Sequence, residues 1–194
     1  MLKTFRESLC AGILITIGGT VFLSCENKTA GAVLFSVALL CICYKGYYLF
    51  TGKIGYIVEQ HKKQDFLNLA VGLFGNLIAT FLLGMLLRTV LPNIGERAAE
   101  MCSAKLAQFP LYSFIRGFFC GILMYLAVSI YKEKNSVLGV LFCVPVFILC
   151  GFEHSIADMF YFGTSGIFDT KIIFFMALIV AGNTLGAMVL PLLK

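Results

Sequence analysis

The stretch Cys150-Gly151-Phe152-Glu153-His154-Ser155-Ile156-Ala157-Asp158-Met159-Phe160 decides how this chain folds. It lies inside an apolar segment, 137–162, long enough to cross a bilayer, yet midway it carries a glutamate, a histidine and an aspartate. Hydrocarbon is a costly place for ionisable groups, so such side chains face a protein interior or a watery path. Gly151 stands just before them, where a helix breaks most readily. The stretch predicts a discontinuous transmembrane helix whose charged break borders a conduction path.

Composition agrees. Of 194 residues, 60% are hydrophobic and 13% charged, with a mean hydropathy of +0.94; a soluble domain averages about 45–50% apolar and about 25% charged. The first apolar run, Leu9 to Leu23, leads into Ser24-Cys25-Glu26-Asn27-Lys28 instead of a small-x-small cleavage site, so it reads as a first span. The net charge of +5 is scattered over loops and ends, which supports a general pull on anions and lipid headgroups and no nucleic-acid surface. The eight cysteines fall mostly in apolar runs and read as small buried hydrophobes; Cys41 and Cys43 have no second pair or nearby histidine to complete a metal site.

Hydropathy predicts six spans, 8–24, 30–50, 66–88, 111–131, 137–162 and 172–192, each near the length that crosses about 30 Å of hydrocarbon. An even count puts both termini on one side. That side carries Lys3, Arg6, Lys53, Lys62, Lys63, Lys132, Lys134 and Lys194, against Lys28, Arg88, Arg97, Lys105 and Lys171 on the other. The excess predicts cytoplasmic termini in a multi-pass protein of the cell (inner) membrane. The long connection 89–110 is expected to hold a short helix from Gly95 to Leu106.

The second span ends in Lys45-Gly46-Tyr47-Tyr48-Leu49-Phe50-Thr51-Gly52-Lys53-Ile54-Gly55, whose three glycines argue for a second break. Irregular backbone at membrane depth requires cover by protein or a cavity. The halves repeat: Cys10-Ala11-Gly12-Ile13-Leu14 echoes Cys120-Gly121-Ile122-Leu123, and Gly75-Asn76-Leu77 echoes Gly182-Asn183-Thr184. Gly12 to Gly75 is 63 residues and Gly121 to Gly182 is 61. Three spans per half is an odd number, so the copies run oppositely through the membrane. The expected fold is all-α: one transmembrane domain, 1–194, with inverted halves 1–91 and 110–194, a linker 92–109 and interrupted second and fifth helices.

Among candidate site residues, His154 ranks first: near its ordinary pKa it is neutral or cationic at little cost, and either state donates a hydrogen bond to an anion. Glu153 is expected to tie down the break through backbone N–H groups or a neighbouring helix, because a carboxylate in the path repels anions. Asp158 either caps the second half-helix or shares a face with His154 at i, i+4. Lys45 either snorkels or supplies positive field. Thr51 is the hydroxyl best placed to meet a solute from the first break. Asn76 and Asn183, at equivalent points, are expected to bond across helices or to carbonyls at the breaks. Arg116 either anchors at the interface or holds an acidic residue near the entrance.

These residues bring a family into view. The chain resembles the formate/nitrite transporter family: Cys150 to Met159 matches its fifth-span motif with the central histidine, and Gly46 to Gly52 its second-span motif with the pore-lining threonine at Thr51. Phe114-Ile115-Arg116-Gly117, Cys120 and Leu126-Ala127-Val128 resemble the fourth span, and the two Gly-Asn pairs the third and sixth. The resemblance covers nearly the whole chain and implies a homopentamer of aquaporin-like protomers, one pore each. It also implies apolar constrictions beside the histidine, for which Phe50, then Phe74 and Leu77, are the candidates. Departures from the motifs are Tyr48 for a glutamate, Tyr47 for a small residue, Lys45 as an added charge, Asp158 for an asparagine and Gly121 for an asparagine; the chain is a short, divergent member. They bear on substrate preference more than on fold.

The function expected is passage of formate, nitrite or a similar small monovalent anion or weak acid, passive or proton-coupled, with no cofactor and no metal. A neutral-solute pore for water, ammonia or an undissociated acid stands beside it, and a non-transporting membrane scaffold behind both. No glycine-rich loop with lysine and serine or threonine points to ATP use. An enzyme is the least expected class: His61 and His154 are too far apart to assemble a metal set or a nucleophile–base pair.

Overall fold

Prolines and glycines punctuate the chain where the helices start and stop. Pro92 and Pro110 each sit at the first turn of a helix, where a missing N–H costs nothing, and the Asn27 side chain accepts from Ala30 N (3.0 Å) to cap another. The computed structural model describes all residues, Met1–Lys194. The order is α1 (Leu2–Ser24), α2 (Lys28–Lys45), α3 (Phe50–Lys53) running into a 3₁₀ turn (Ile54–Val58), α4 (Lys63–Val90), α5 (Pro92–Leu106), α6 (Pro110–Lys134), α7 (Leu138–Leu149), α8 (Ser155–Ser165) and α9 (Lys171–Leu192). There are no strands.

Five helices, α1, α2, α4, α6 and α9, are long and apolar enough to cross a membrane; α7 is apolar but only 12 residues long. The apolar run 137–162 is thus divided between α7 and α8, and the run 30–50 stops as a helix at Lys45. The linker helix α5 starts three residues earlier than Gly95 and buries Ile94, Gly95, Ala98 and Cys102.

Close helix approach rests on glycine. A Cβ on Gly12 of α1 would stand 2.6 Å from Ala79 Cβ and 3.2 Å from Asn76 O on α4. At the repeat-related place, a Cβ on Gly121 of α6 would run into Asn183 O on α9. Small residues let helix backbones meet where lipid offers no hydrophobic drive. The two pairs, α1 with α4 and α6 with α9, flank α8, which packs on α4, α5 and α1 and buries every residue except Met159. The outer surface is apolar, with Ile17, Val37, Phe74, Leu82, Phe119 and Leu185 exposed.

Candidate functional site

Both breaks are built the same way. α2 gives way at Gly46 and α7 at Gly151, each with φ +68°, a left-handed backbone that glycine adopts without penalty. Gly46 N donates to Cys43 O (3.2 Å) and Tyr47 N to Ile42 O (3.1 Å); Gly151 N donates to Ile148 O (3.1 Å) and Phe152 N to Phe147 O (2.9 Å). These are paired Schellman closures. Three residues then follow without regular structure, Tyr47-Tyr48-Leu49 and Phe152-Glu153-His154, before a helix resumes at Phe50 or Ser155.

Each irregular stretch is held by one asparagine. Asn76 Oδ1 accepts from Phe50 N (2.8 Å), while its Nδ2 donates to Tyr48 O (2.9 Å) and Ser8 O (2.8 Å). Asn183 Oδ1 accepts from Ser155 N (2.9 Å), while its Nδ2 donates to Glu153 O (2.8 Å) and Gly117 O (2.8 Å). Both side chains are fully buried. The buried backbone groups freed at each break are thereby paired. The correspondence equates Leu49 with His154.

His154 is the N-cap of α8. Its Nδ1 accepts from Ala157 N (3.1 Å), and its Nε2 lies 2.8 Å from Thr51 Oγ1 on α3. A backbone N–H only donates, so Nδ1 is bare and the ring hydrogen sits on Nε2, donating to Thr51. His154 and Thr51 are both buried, and Phe147 stacks on the imidazole (centroids 5.6 Å, planes 20° apart), itself edge-on to Phe35. The ring is therefore neutral in this arrangement, and the hydroxyl hydrogen of Thr51 is the donor left over.

Two cavities border this region. One, about 70 Å³, is lined by Leu39, Leu49, Gly52, Val128, Lys53 and Lys132 among others. The other, about 250 Å³, is lined by Phe35, Phe147, Phe152 and His154, with Lys105, Glu153 and Asp158. Lys105 Nζ pairs with Glu153 Oε2 and, at 3.0 Å, with Asp158 Oδ1. Lys105 lies on α5, outside the membrane-length helices. Burial works against its ammonium, but Asp158 and Glu153 outweigh this and hold its pKa above the ordinary lysine value.

The structure brings His154, Thr51, Phe50, Glu153, Asp158, Asn76 and Asn183 into one buried region. Glu153 meets Lys105 on a neighbouring helix, while its backbone N donates to Arg116 O (3.3 Å). Asp158 neither caps α8, which His154 does, nor turns to the histidine; it meets Lys105. Tyr48 is half-buried against Gly72. Leu77 is partly buried, Phe74 is 60% exposed, and Lys45 and the Arg116 side chain are exposed. Sequence reasoning missed Lys105, whose signal was the pair of membrane-depth carboxylates in need of a cation. It also treated Phe35 and Phe147 as filler, although they wall the histidine.

The family profile described as "Formate/nitrite transporter" matches residues 1–193. The chain is similar to the uncharacterized transporter YwcJ of Bacillus subtilis (strain 168), 30% identical over 185 residues that cover 85% of this chain and 72% of YwcJ. It is 25% identical over 187 residues to the formate channel FocA of Escherichia coli (strain K12), covering 82% of this chain and 65%, just under two thirds, of FocA. In fold it is similar to a solved structure described as a pentameric formate channel with formate bound (TM-score 0.82, 24% identity, 99% of this chain and 94% of that one). A second, described as an FNT family ion channel, gives a TM-score of 0.81 at 21% identity over 97% and 85%. At these identities the structural likeness speaks to the fold.

Proposed function

The chain belongs to the formate/nitrite transporter family, and on that premise we propose that it forms a membrane pore for a small monovalent anion or its weak acid, formate or nitrite being the first candidates. The observation that carries this reading is the Thr51–His154 pair, a buried 2.8 Å contact with Phe147 stacked on the imidazole, beside a cavity that Phe35 and Phe147 line and near a second that Leu39 and Leu49 line. Apolar walls raise the cost of a bare anion, whereas a neutral acid crosses them at far lower cost. Lysines at both cavities, Lys53 and Lys132 on one side and Lys105 on the other, draw the anion inward. A proton taken from water or from the surroundings of His154 neutralises it, the Thr51 hydroxyl donates a hydrogen bond as it passes, and release on the far side reverses the step.

The proposed assembly is a homopentamer with one pore in each protomer, set in the lipids of the cell membrane with both termini in the cytoplasm. The proposed topology is an inverted repeat with its two breaks facing each other. The matched placement of Asn76 and Asn183 supports this reading. A neutral-solute pore is the second reading, favoured by the neutral form of His154 that its Ala157 bond requires.

The test is formate and nitrite uptake into proteoliposomes, with current recorded simultaneously, from about pH 5 to about pH 8, the range in which histidine changes charge. Uptake by the parent and its collapse in His154→Ala is the expected result. Equal, current-free uptake in both proteins would replace the anion reading by the neutral-solute one, and no uptake in either would refute both.

A further inference from the structure

The cluster beside His154 holds two carboxylates and one ammonium, all but sealed from solvent: Glu153 and Asp158 are 2% and 1% exposed. Fully ionised, it would bury one uncompensated negative charge, which a low-dielectric interior strongly disfavours. The hydrogen bonds identify which carboxyl relieves this. Glu153 accepts at both oxygens, Oε2 from Lys105 and Oε1 from Gln108 Nε2 (3.5 Å), so each already has a donor that favours the ionised form. Asp158 accepts from Lys105 at Oδ1 alone; its Oδ2 is buried with no partner, and Asp158 and His154 are both among the residues lining the 250 Å³ cavity.

We propose that Asp158 carries a proton on Oδ2, making this carboxyl a resident proton site on the cavity wall and the donor to a weak-acid anion that enters. The transport half rests on the function proposed above; the proton site stands on the geometry alone. The other titratable or charged groups around it are Lys105 and Cys102 of α5, Cys120 and Arg116 of α6, Glu153 and His154 of the break, and Tyr161 of α8 itself. Lys105 is the only one of these within ion-pairing distance, and Glu153 shares it. The first turn of α8 favours a negative charge at Asp158, but this is a weaker influence than burying an unpaired one. On hand-over the Asp158 O–H bond breaks and an O–H bond forms on the anion. The cluster is left with one negative charge, and water from the open side of the cavity returns the proton.

The experiment is infrared spectroscopy of the full chain in lipid at neutral pH, reading the carbonyl band of a protonated carboxyl. The parent is expected to show a band that shifts in D₂O, that Asp158→Asn loses while keeping an oxygen for Lys105, and that Asp158→Glu retains. A parent without the band, or a band that persists in Asp158→Asn, overturns the proton site. In proteoliposomes, Asp158→Asn is expected to lower formate-coupled proton uptake at neutral pH roughly a hundredfold, the low side of what a positioned acid contributes; unchanged coupling overturns the hand-over. Absence of formate uptake by the parent refutes the transport reading and the hand-over with it, and the infrared band still decides whether Asp158 holds a proton.

Discussion

Replacing Asn183 by alanine removes the one side chain that holds the second break. Three bonds go: Ser155 N loses its acceptor, and the carbonyls of Glu153 and Gly117 lose a donor. Gly117 lies within α6, where its carbonyl has a helical role as well, so two groups bear most of the loss. A buried backbone group left unpaired costs about 1–3 kcal/mol, so the change should destabilise by roughly 2–6 kcal/mol. Against a typical total of about 5–15 kcal/mol this is large. Denaturant unfolding in detergent, followed by helical circular dichroism, measures it. Asn183→Asp should fare no better, because it sets a carboxylate oxygen against two carbonyls. A change under about 1 kcal/mol, little more than the ±0.5 kcal/mol expected of an ordinary surface substitution, would refute the clamp. Asn76→Ala, which removes the same three kinds of bond, should match it.

Lys105→Met leaves Glu153 without its cation and should cost roughly 3–5 kcal/mol at neutral pH; thermal unfolding of parent and variant checks it. In the parent, the folded pKa of Lys105 is raised above 10.5, so its stabilisation is fully present below that value and is lost only as pH climbs through the folded value. Unfolding midpoints should therefore show no loss from this group between neutral pH and about pH 10. Thr51→Val strands the His154 Nε2–H, costing about 1–3 kcal/mol locally, whereas Thr51→Ser keeps the acceptor; formate uptake should fall in the first and persist in the second. Gly182→Ala would set a Cβ 2.6 Å from Phe114 O and force α6 from α9, which should lower the thermal midpoint of the purified protein.

Much of this arrangement was legible before any coordinates. Glycine marks a helix break wherever a left-handed turn is needed, so Gly46 and Gly151 announced both interruptions. The repeat spacing set Asn76 and Asn183 at equivalent points, and each bonds an N–H and a carbonyl of its own break. Lys105 was not legible, since its partner Glu153 is 48 residues away and a lysine in a connecting helix looks like any interfacial cation. Nor were Phe35 and Phe147. With 19 phenylalanines on helices apolar on all sides, no periodicity says which ring turns inward. The exposed position of Phe74 has the same origin, because an outward face meeting lipid carries the residue types of an interior one.

The duplicated asparagine clamps hold main chain only, and neither touches the side chain of the residue they frame, Leu49 in one half and His154 in the other. The two places differ in what the side chain adds: His154 also caps α8 through Ala157 N, whereas Leu49 has no polar atom with which to cap α3. Replacing His154 therefore removes a helix cap and the Thr51 contact together, while replacing Leu49 removes no hydrogen bond of a side chain. A Leu49→His chain would carry two imidazoles on equivalently clamped backbones.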